Sequence, residues 1–343
     1  MRKESKIILV RVVAVAVPTL LGLLAIALLL MKQDRLVVEP ADEAGDGTPS
    51  LRLQEPRIYV EEPNHELTGH RYLYDETLGW KNIPDWSATT FNRTLTINSK
   101  GLRDREYDLA KPEGVFRILV LGDSFTWGYG VSDEEIFTER LESKLVEDGA
   151  KVEILNAGVS GWGTDQQLLF LEREGFKYEP DLVVLAFFIY NDPGNIRESA
   201  QYGLQKPLFA DTNLTLTNVP VPKPGVETEK RLFEGDPLKL AAAVISRMAQ
   251  GCREHDTRFL IMKFGHYMFY EDQRGDLVDR KFRELVEPIP HADFFDLDAE
   301  FRRLEITAEK LKAGYYTHWD AEGHQLVADA MERRLGEEGF FSQ

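Results

Sequence analysis

Four segments that are far apart in the sequence carry the groups needed for nucleophilic catalysis. "GDSF" supplies a hydroxyl at Ser124 directly after an apolar run, and "YND" supplies a carboxamide at Asn191. "NAGVSG" ends in Gly161, and "THWDAEGH" supplies imidazoles at His318 and His324. Acyl-ester chemistry requires a serine nucleophile, an imidazole that takes its proton and hydrogen-bond donors that meet the developing oxyanion. If the fold brings these segments together, the sequence predicts ester chemistry.

The elements around these segments predict where they lie. Apolar strand-like runs alternate with amphipathic helix-like segments from Phe116 onward; the predicted strands are FRILVLG, KVEILNAG, DLVVLAFFIY (181–190), RFLIMKF and DFFDL (293–297). This alternation predicts an α/β fold, a three-layer α/β/α architecture with a mostly parallel five-stranded sheet. Ligands bind at the carboxyl ends of the strands in such sheets. Ser124, Gly161 and Asn191 each follow a predicted strand, so we expect them at one edge.

Polar residues at the helix starts predict how the connecting turns are closed. Ser132 and Glu135 have the spacing of a capping box before the first helix, and Thr164 and Gln167 have it before the second. Asp320 is placed to cap the last helix. We expect these side chains to satisfy backbone N–H groups, whereas Ser124 is either a nucleophile or the cap of the helix that follows it.

The four segments resemble the sequence blocks of the SGNH (GDSL-type) hydrolases, over about residues 116–335. "GDSF" is similar to the first block, "NAGVSG" to the second, "YND" to the third and "HWDAEGH" to the last. The resemblance implies a flavodoxin-like SGNH fold and a serine esterase, with Ser124 as nucleophile and His318 as base. It also implies an oxyanion hole formed by the N–H groups of Ser124 and Gly161 and by the side chain of Asn191. His324 is then left to the last helix, as a surface residue or one behind the site.

One position departs from the family pattern. The family usually carries an aspartate three residues before the histidine, and this chain has Tyr315 there. The acid orients the imidazole and stabilises its protonated form, so its loss lowers the rate without removing the chemistry. The group that orients His318 remains open between a backbone carbonyl, an acid from another loop and the hydroxyl of Tyr315.

Three functions are compatible with these motifs. The first is an esterase that hydrolyses an acyl ester, with O-acetyl as a candidate, through Ser124 and His318. The second is an O-acyltransferase of the same fold that acts on envelope polysaccharide. The third is a non-catalytic glycan-binding or assembly protein, which the missing acid favours. The first two share every motif, and we expect the esterase.

An uncharged segment of 20 residues, 12–31, precedes the rest of the chain. It reaches about 30 Å as a helix, the thickness of a bilayer core. Four basic residues lie before it and only two follow closely: Arg2, Lys3, Lys6 and Arg11, then Lys32 and Arg35. This asymmetry predicts a single-pass transmembrane helix in the cell membrane, with residues 1–11 cytoplasmic and the catalytic domain extracytoplasmic. A cleaved signal peptide is the alternative, although no small-x-small site follows the run.

Composition divides the remainder of the chain. Residues 32–55 are acidic and turn-rich, as in a linker, and residues 56–112 are aromatic and alternate like short strands, which predicts a β-rich N-terminal extension. Residues 113–343 form the hydrolase-like domain. Within it, residues 213–225 have the pattern of an inserted hairpin beside the site.

Charge and residue usage limit the partners. The net charge is −17, from 58 acidic and 41 basic residues, which argues against nucleic acid because no basic surface would neutralise phosphates. The single cysteine, Cys252, excludes an intrachain disulfide. His65 and His70 have no metal-ligand spacing, so we expect no metal and no cofactor. The expected partners are an acyl-ester substrate, with an acylated glycan as a candidate, and the membrane through residues 12–31.

Overall fold

A computed structural model describes residues 36–39, 50–53, 59–61, 71–90, 93–265, 267, 273–314 and 317–337. The chain divides into two compact units, residues 1–58 and 59–343. In the first unit, β1 (Leu36–Glu39) and β2 (Ser50–Leu53) form an antiparallel pair. The predicted membrane helix, 12–31, lies outside the described residues. Within the described ranges, no helix has the length and apolar character needed to span a bilayer.

The second unit begins with short antiparallel strands. They are β3 (Tyr59–Glu61), β4 (Arg71–Asp75), β5 (Gly79–Lys81), β6 (Trp86–Thr90) and β7 (Arg93–Ile97). The first three form one sheet and the last two form a hairpin. Trp80 on β5 is buried, and its indole N–H donates to the carbonyl of Ser160 at 3.2 Å. This contact anchors the strands to the loop that contains Gly161.

A parallel sheet forms the centre of this unit. The further strands are β8 (Phe116–Leu121), β9 (Val152–Asn156), β10 (Leu182–Phe188), β11 (Ala200–Gln201), β12 (Leu204–Gln205), β13 (Leu208–Phe209), β14 (Leu216–Thr217), β15 (Arg258–Phe264) and β16 (Asp293–Asp296). In the described part of the chain, five strands pair in the order β16-β15-β10-β8-β9, and all of these pairs are parallel. The predicted α/β sheet is therefore confirmed.

Helices cover both faces of this sheet. They are α1 (Ser124–Trp127), α2 (Phe137–Glu147), α3 (Thr164–Arg173), α4 (Asp192–Asn195), α5 (Pro237–Glu254), α6 (Gln273–Val286), α7 (Leu297–Arg303), α8 (Ala308–Leu311) and α9 (Ala321–Glu337). Alternate residues of β10 face two separate cores: Val183 and Leu185 join the core under α3 and α5, whereas Leu182 and Val184 join the core under α2 and α9. This alternation explains the continuous apolar run, because both faces of the strand are buried.

The two predicted capping boxes differ from the structure in different ways. The Glu135 carboxylate accepts from the N–H of Ser132 at 2.9 Å, but this pair closes a 3₁₀ turn, 133–135, rather than α2. Ile136, which follows this turn, is extended, so α2 begins only at Phe137. The intervening extended residue directs the chain into the core before the helix starts.

The box of the second helix was predicted at the wrong register. The residue before α3 is Gly163, and the side-chain oxygen of Gln166 accepts from its N–H at 3.0 Å. Thr164 and Gln167 are buried inside the helix instead, because the turn that contains Gly161 brings the chain into the helix one residue earlier than the spacing suggested. The predicted cap of the last helix is correct, since Asp320 accepts from the N–H of Gly323 at 2.9 Å.

Two small hairpins lie between α4 and α5. One is formed by β11 and β12, and the other by β13 and β14. The hairpin predicted within residues 213–225 differs from the observed one, which pairs Leu208–Phe209 with Leu216–Thr217. Its first strand has only two residues, both buried, and is too short to produce a visible alternation.

Candidate active site

Ser124 lies at a sharp turn between β8 and α1. Gly122 leaves no room for a side chain there, because a β-carbon on it would lie 2.1 Å from Oγ1 of Thr126. The Asp123 carboxylate accepts from the N–H of Phe125 at 3.0 Å and so caps the one-turn helix. Capping is therefore performed by Asp123, and the half-buried Ser124 side chain is available for another role.

The fold brings Ser124 and His318 into direct contact although they are 194 residues apart. Oγ of Ser124 lies 2.7 Å from Nε2 of His318, which is hydrogen-bond distance. His318 lies just before α9 and follows Thr317, whose φ is +65°. Positive φ is unfavourable for a β-branched residue and is typical of sites where the surrounding structure imposes a conformation.

Two aromatic rings enclose the His318 imidazole. The ring of Phe125 is 4.5 Å from it and the ring of Tyr129 is 4.8 Å from it, centroid to centroid, each inclined by 31°. Trp319 and Phe264 pack in turn against Phe125. These contacts restrict the imidazole to one orientation, and ring faces at this distance also attract a cation. Tyr315, whose hydroxyl was one of the three candidates for the group that orients His318, lies outside the described residues.

The three predicted oxyanion donors follow three adjacent strands. Ser124 follows β8, which lies between the strands that precede Gly161 and Asn191. Among the described residues, the N–H groups of Ser124 and Gly161 have no acceptor. Nδ2 of Asn191 donates one hydrogen to the carboxylate of Asp123 at 3.2 Å. The carboxamide has a second hydrogen on the same nitrogen, so Asp123 orients Asn191 without exhausting it.

Two carboxyl groups are buried behind Asn191. Burial raises the pKa of Asp123 to about 6. The pKa of Asp192 is raised well above its usual range, by burial first and by the charge of Asp123 second. Both carboxyl groups are therefore harder to ionise than exposed ones, and the charge of Asp123 makes ionisation of Asp192 harder still.

His324 is buried behind the site and is not a surface residue of α9. Its exposed fraction is 1 %, and its Nδ1 accepts from the N–H of Phe137, at 3.2 Å. It therefore satisfies the first N–H group of α2, while its ring stacks on that of Phe137. Burial, together with the charges of Arg103 and Arg140, lowers the pKa of His324 to about 3.

This lowered pKa predicts a loss of stability in acid. The unfolded chain takes up a proton on His324 near pH 6.5, whereas the folded chain resists it down to about pH 3. The contribution of His324 is present above pH 6.5 and is lost as the pH falls below it, by about 2 kcal/mol at pH 5. In urea unfolding at pH 7 and pH 5, His324→Gln should lose less stability between the two pH values than the wild type, by that amount. His255→Gln, at an exposed histidine, is the control; equal pH dependence in all three proteins would contradict the prediction.

Sequence reasoning missed a buried ion pair beside the site. Lys206 and Asp165 are in contact and have no exposed side-chain surface. Nζ of Lys206 also donates to the carbonyl of Asn195 at 3.2 Å. Asp165 is the second residue of α3, so the pair joins the loop that contains Gly161 to the hairpin of β11 and β12. Nothing in the local pattern identifies Lys206 as buried, because lysine is usually exposed.

Residues for a metal centre are not gathered here. No group of three or more His, Cys, Asp or Glu side chains within the described ranges has the arrangement of a metal site.

The GDSL-like lipase/acylhydrolase family model matches residues 120–326, which include Ser124, Gly161, Asn191 and His318. The chain is similar to the solved structure of TesA, with 16 % identity and a TM-score of 0.45, over 64 % of this chain and 97 % of that one. It is similar to the acetylxylan esterase Axe2 from Geobacillus stearothermophilus, with 17 % identity and a TM-score of 0.44, over 64 % and 94 %. It is also similar to the psychrotrophic esterase EstA from Pseudoalteromonas sp., with 16 % identity and a TM-score of 0.41, over 64 % and 97 %. No curated protein matches the chain.

Proposed function

The chain belongs to the GDSL-like lipase/acylhydrolase family and is an ester hydrolase of the SGNH type, and from this premise we propose that Ser124 and His318 carry its reaction. The observation that supports the proposal most directly is the 2.7 Å contact between Oγ of Ser124 and Nε2 of His318. A serine hydroxyl is a weak nucleophile until a neighbouring base takes its proton, and this distance allows that transfer.

The reaction follows from the positions of these groups. Ser124 Oγ attacks the ester carbonyl while its proton moves to Nε2 of His318. The N–H groups of Ser124 and Gly161, together with Nδ2 of Asn191, donate to the oxyanion. His318 then gives its proton to the departing alkoxide, which leaves as an alcohol. Water then attacks the acyl-serine and gives a proton to His318, which passes it to Oγ of Ser124 as the carboxylic acid leaves.

The aromatic rings around His318 support this mechanism in the absence of the usual aspartate. The imidazole becomes a cation when it takes the proton of Ser124. Phe125 and Tyr129 lie within the range of cation–π attraction, at 4.5 and 4.8 Å. They also restrict its rotation, which is the other role of the acid. The base is therefore oriented by packing, whatever group bonds its second nitrogen.

The test combines turnover with covalent labelling. Purified protein should hydrolyse p-nitrophenyl acetate, and a fluorophosphonate should add one phosphonyl group to Oγ of Ser124 with loss of fluoride. Intact-mass measurement and peptide mapping locate the adduct. The proposed function is wrong if the protein neither hydrolyses the ester nor forms the adduct. Addition of an alcohol acceptor to the assay separates hydrolysis from acyl transfer, since a transferase produces the new ester.

Removal of the Asn191 side chain should impair the oxyanion hole. We expect Asn191→Ala to lower kcat by about 10²–10³-fold, the usual cost of one oxyanion donor. KM for p-nitrophenyl acetate should change little, because the lost bond strengthens only in the transition state. Asn213→Ala, at an exposed asparagine, serves as the matched control. A kcat within three-fold of the wild type would remove Asn191 from the mechanism.

We also propose that residues 12–31 anchor the enzyme in the cell membrane with its catalytic domain outside. The support is the uncharged 20-residue segment and the basic residues before it. The full chain should fractionate with membranes, and a chain that begins at Leu36 should not. If the full chain is expressed but the protein is recovered in the soluble fraction and lacks residues 1–31, the segment is a cleaved signal peptide instead.

A further inference from the structure

The side-chain amide of Asn191 is held from one side. Nδ2 donates to Oδ2 of Asp123 at 3.2 Å. Within the described ranges, Oδ1 of Asn191 is buried without a hydrogen-bond partner, and the side chain does not cap α4, which Asn191 precedes. The two ends of a carboxamide have nearly the same shape and are distinguished by the bonds they make. Asp123 is therefore the group that selects which end of the amide faces it.

The charge of Asp123 determines this selection. An ionised carboxylate only accepts hydrogen bonds, so it selects the nitrogen of Asn191. In the neutral acid, Oδ1 is still occupied by the N–H of Phe125 at 3.0 Å, so the proton lies on Oδ2, the oxygen that faces Asn191. Oδ2 is then a donor, and it selects the oxygen of the amide. Protonation of Asp123 therefore favours a half-turn of the Asn191 carboxamide.

The half-turn changes what the substrate meets in the oxyanion hole. In the proposed reaction, the second hydrogen on Nδ2 of Asn191 donates to the oxyanion. After the turn, the amide oxygen occupies the place of that nitrogen. An oxygen there has no hydrogen to donate and repels the negative charge that develops in the transition state. The enzyme then loses at least what it loses when the Asn191 side chain is removed.

Titratable groups face Asp123 from two of the elements packed around it. They are Asp192, at the start of α4, and Tyr202, in the loop between β11 and β12; burial raises the pKa of each, and the charge of Asp123 raises it further. Asp165 on α3 acts on Asp192 in the same direction and is paired with Lys206. Burial raises the pKa of Asp123 itself to about 6. Asp123 therefore changes its charge within the pH range in which an esterase is assayed.

We propose that Asp123 is a positioning residue whose ionised carboxylate keeps Nδ2 of Asn191 turned to the oxyanion, and that protonation of Asp123 turns the amide and disables the oxyanion hole. The inference rests on the proposed function, because it requires Asn191 as an oxyanion donor. Two protons then inactivate the enzyme in acid. One binds His318 and removes the base, and the other binds Asp123 and removes the donor.

Asp123→Asn imitates the protonated acid at every pH. Its side-chain oxygen can still accept from the N–H of Phe125, so the cap of α1 is kept, while its nitrogen faces Asn191 as a donor. We expect kcat/KM for p-nitrophenyl acetate at pH 8 to fall by about 10²–10³-fold, the usual cost of one oxyanion donor. Asp123→Asn combined with Asn191→Ala should lie within three-fold of Asn191→Ala alone, because the two residues act as one unit.

The matched control is another aspartate that caps a helix. Asp236 accepts from the N–H of Leu238 at 3.1 Å and so caps α5 as Asp123 caps α1. Asp236→Asn should keep kcat/KM within three-fold of the wild type. Urea unfolding of both variants separates a loss of activity from a loss of folded protein.

The pH dependence of kcat/KM tests the inference in proteins that keep Asp123. It reports the essential ionisations of the free enzyme. Between pH 4.5 and pH 8, log kcat/KM of the wild type should fall in acid with a slope that approaches 2, since each of two protons inactivates it. Asn191→Ala lacks the amide that Asp123 turns, so its slope should be smaller by about one. Intrinsic fluorescence at each pH shows that folded protein is compared.

The inference is overturned if Asp123→Asn keeps kcat/KM within three-fold of the wild type, if its loss multiplies with that of Asn191→Ala, or if the wild type and Asn191→Ala have equal slopes. A purely structural role of Asp123 would lower the urea midpoint of Asp123→Asn and leave the two slopes equal. If Asp123→Asn does not fold, the two slopes decide alone. Failure of the proposed function is distinct, because then no ester is hydrolysed and no fluorophosphonate adduct forms.

Discussion

Ser124→Ala should lower kcat for p-nitrophenyl acetate by at least about 10³-fold, and His318→Ala should do nearly the same. The alanine at position 124 has no oxygen to attack the carbonyl. Without His318, the hydroxyl of Ser124 keeps its proton at neutral pH, because the 2.7 Å contact that removes it is gone. Both variants should bind substrate and should unfold in urea close to the wild-type midpoint, since both side chains are half-buried.

The double variant shows whether the two residues act as one unit. Ser124→Ala combined with His318→Ala should be hardly slower than either single variant, because groups that act together are strongly non-additive. Ser87→Ala and His255→Ala, at exposed positions, are the matched controls and should keep most activity. Multiplicative losses in the double variant, or an active His318→Ala, would show that another group serves as the base.

Loss of the buried Lys206 charge should have the largest effect on stability among the variants considered. Lys206→Met should lower the free energy of unfolding by about 3–5 kcal/mol, because it leaves the Asp165 carboxyl buried without its cationic partner. Burial already raises the pKa of Asp165, and the charge of Lys206 acts against that rise. The methionine keeps the volume of the lysine stem, so the change removes the charge and the hydrogen bonds of Nζ but little packing. Urea unfolding at pH 7 measures the loss.

Two comparisons distinguish the charge from packing. Lys206→Met with Asp165→Leu should recover at least half of the loss, since apolar pairs replace buried ion pairs well. Arg247→Met breaks the exposed contact of Arg247 with Glu172 and should cost about 1 kcal/mol or less. The importance assigned to the buried pair would be refuted if Lys206→Met and Arg247→Met were equally stable.

Much of the candidate site could be predicted from sequence because a parallel sheet imposes a simple rule. Apolar runs such as Leu182–Phe188 identify strands through local composition, and the residues that follow such strands meet at one edge. Ser124 and Asn191 follow two of these runs directly. His318 follows none of them, and its position came from the resemblance of its segment to a known family. Capping residues were less predictable, because a shift of one residue moved the second box from Thr164 to Gly163.

The sequence by itself determined the α/β architecture, the turn at Ser124 and the groups available for ester chemistry, because each depends on short-range periodicity or on a contiguous motif. Only the tertiary structure decided which polar residues are buried. His324 satisfies the start of α2, and Lys206 pairs with Asp165 across 41 residues of chain. The ring of Tyr202 lies against Gly161 through the same long-range packing. A side chain acquires such a role only when another segment removes its water and supplies a partner, and no local pattern encodes where that segment will be.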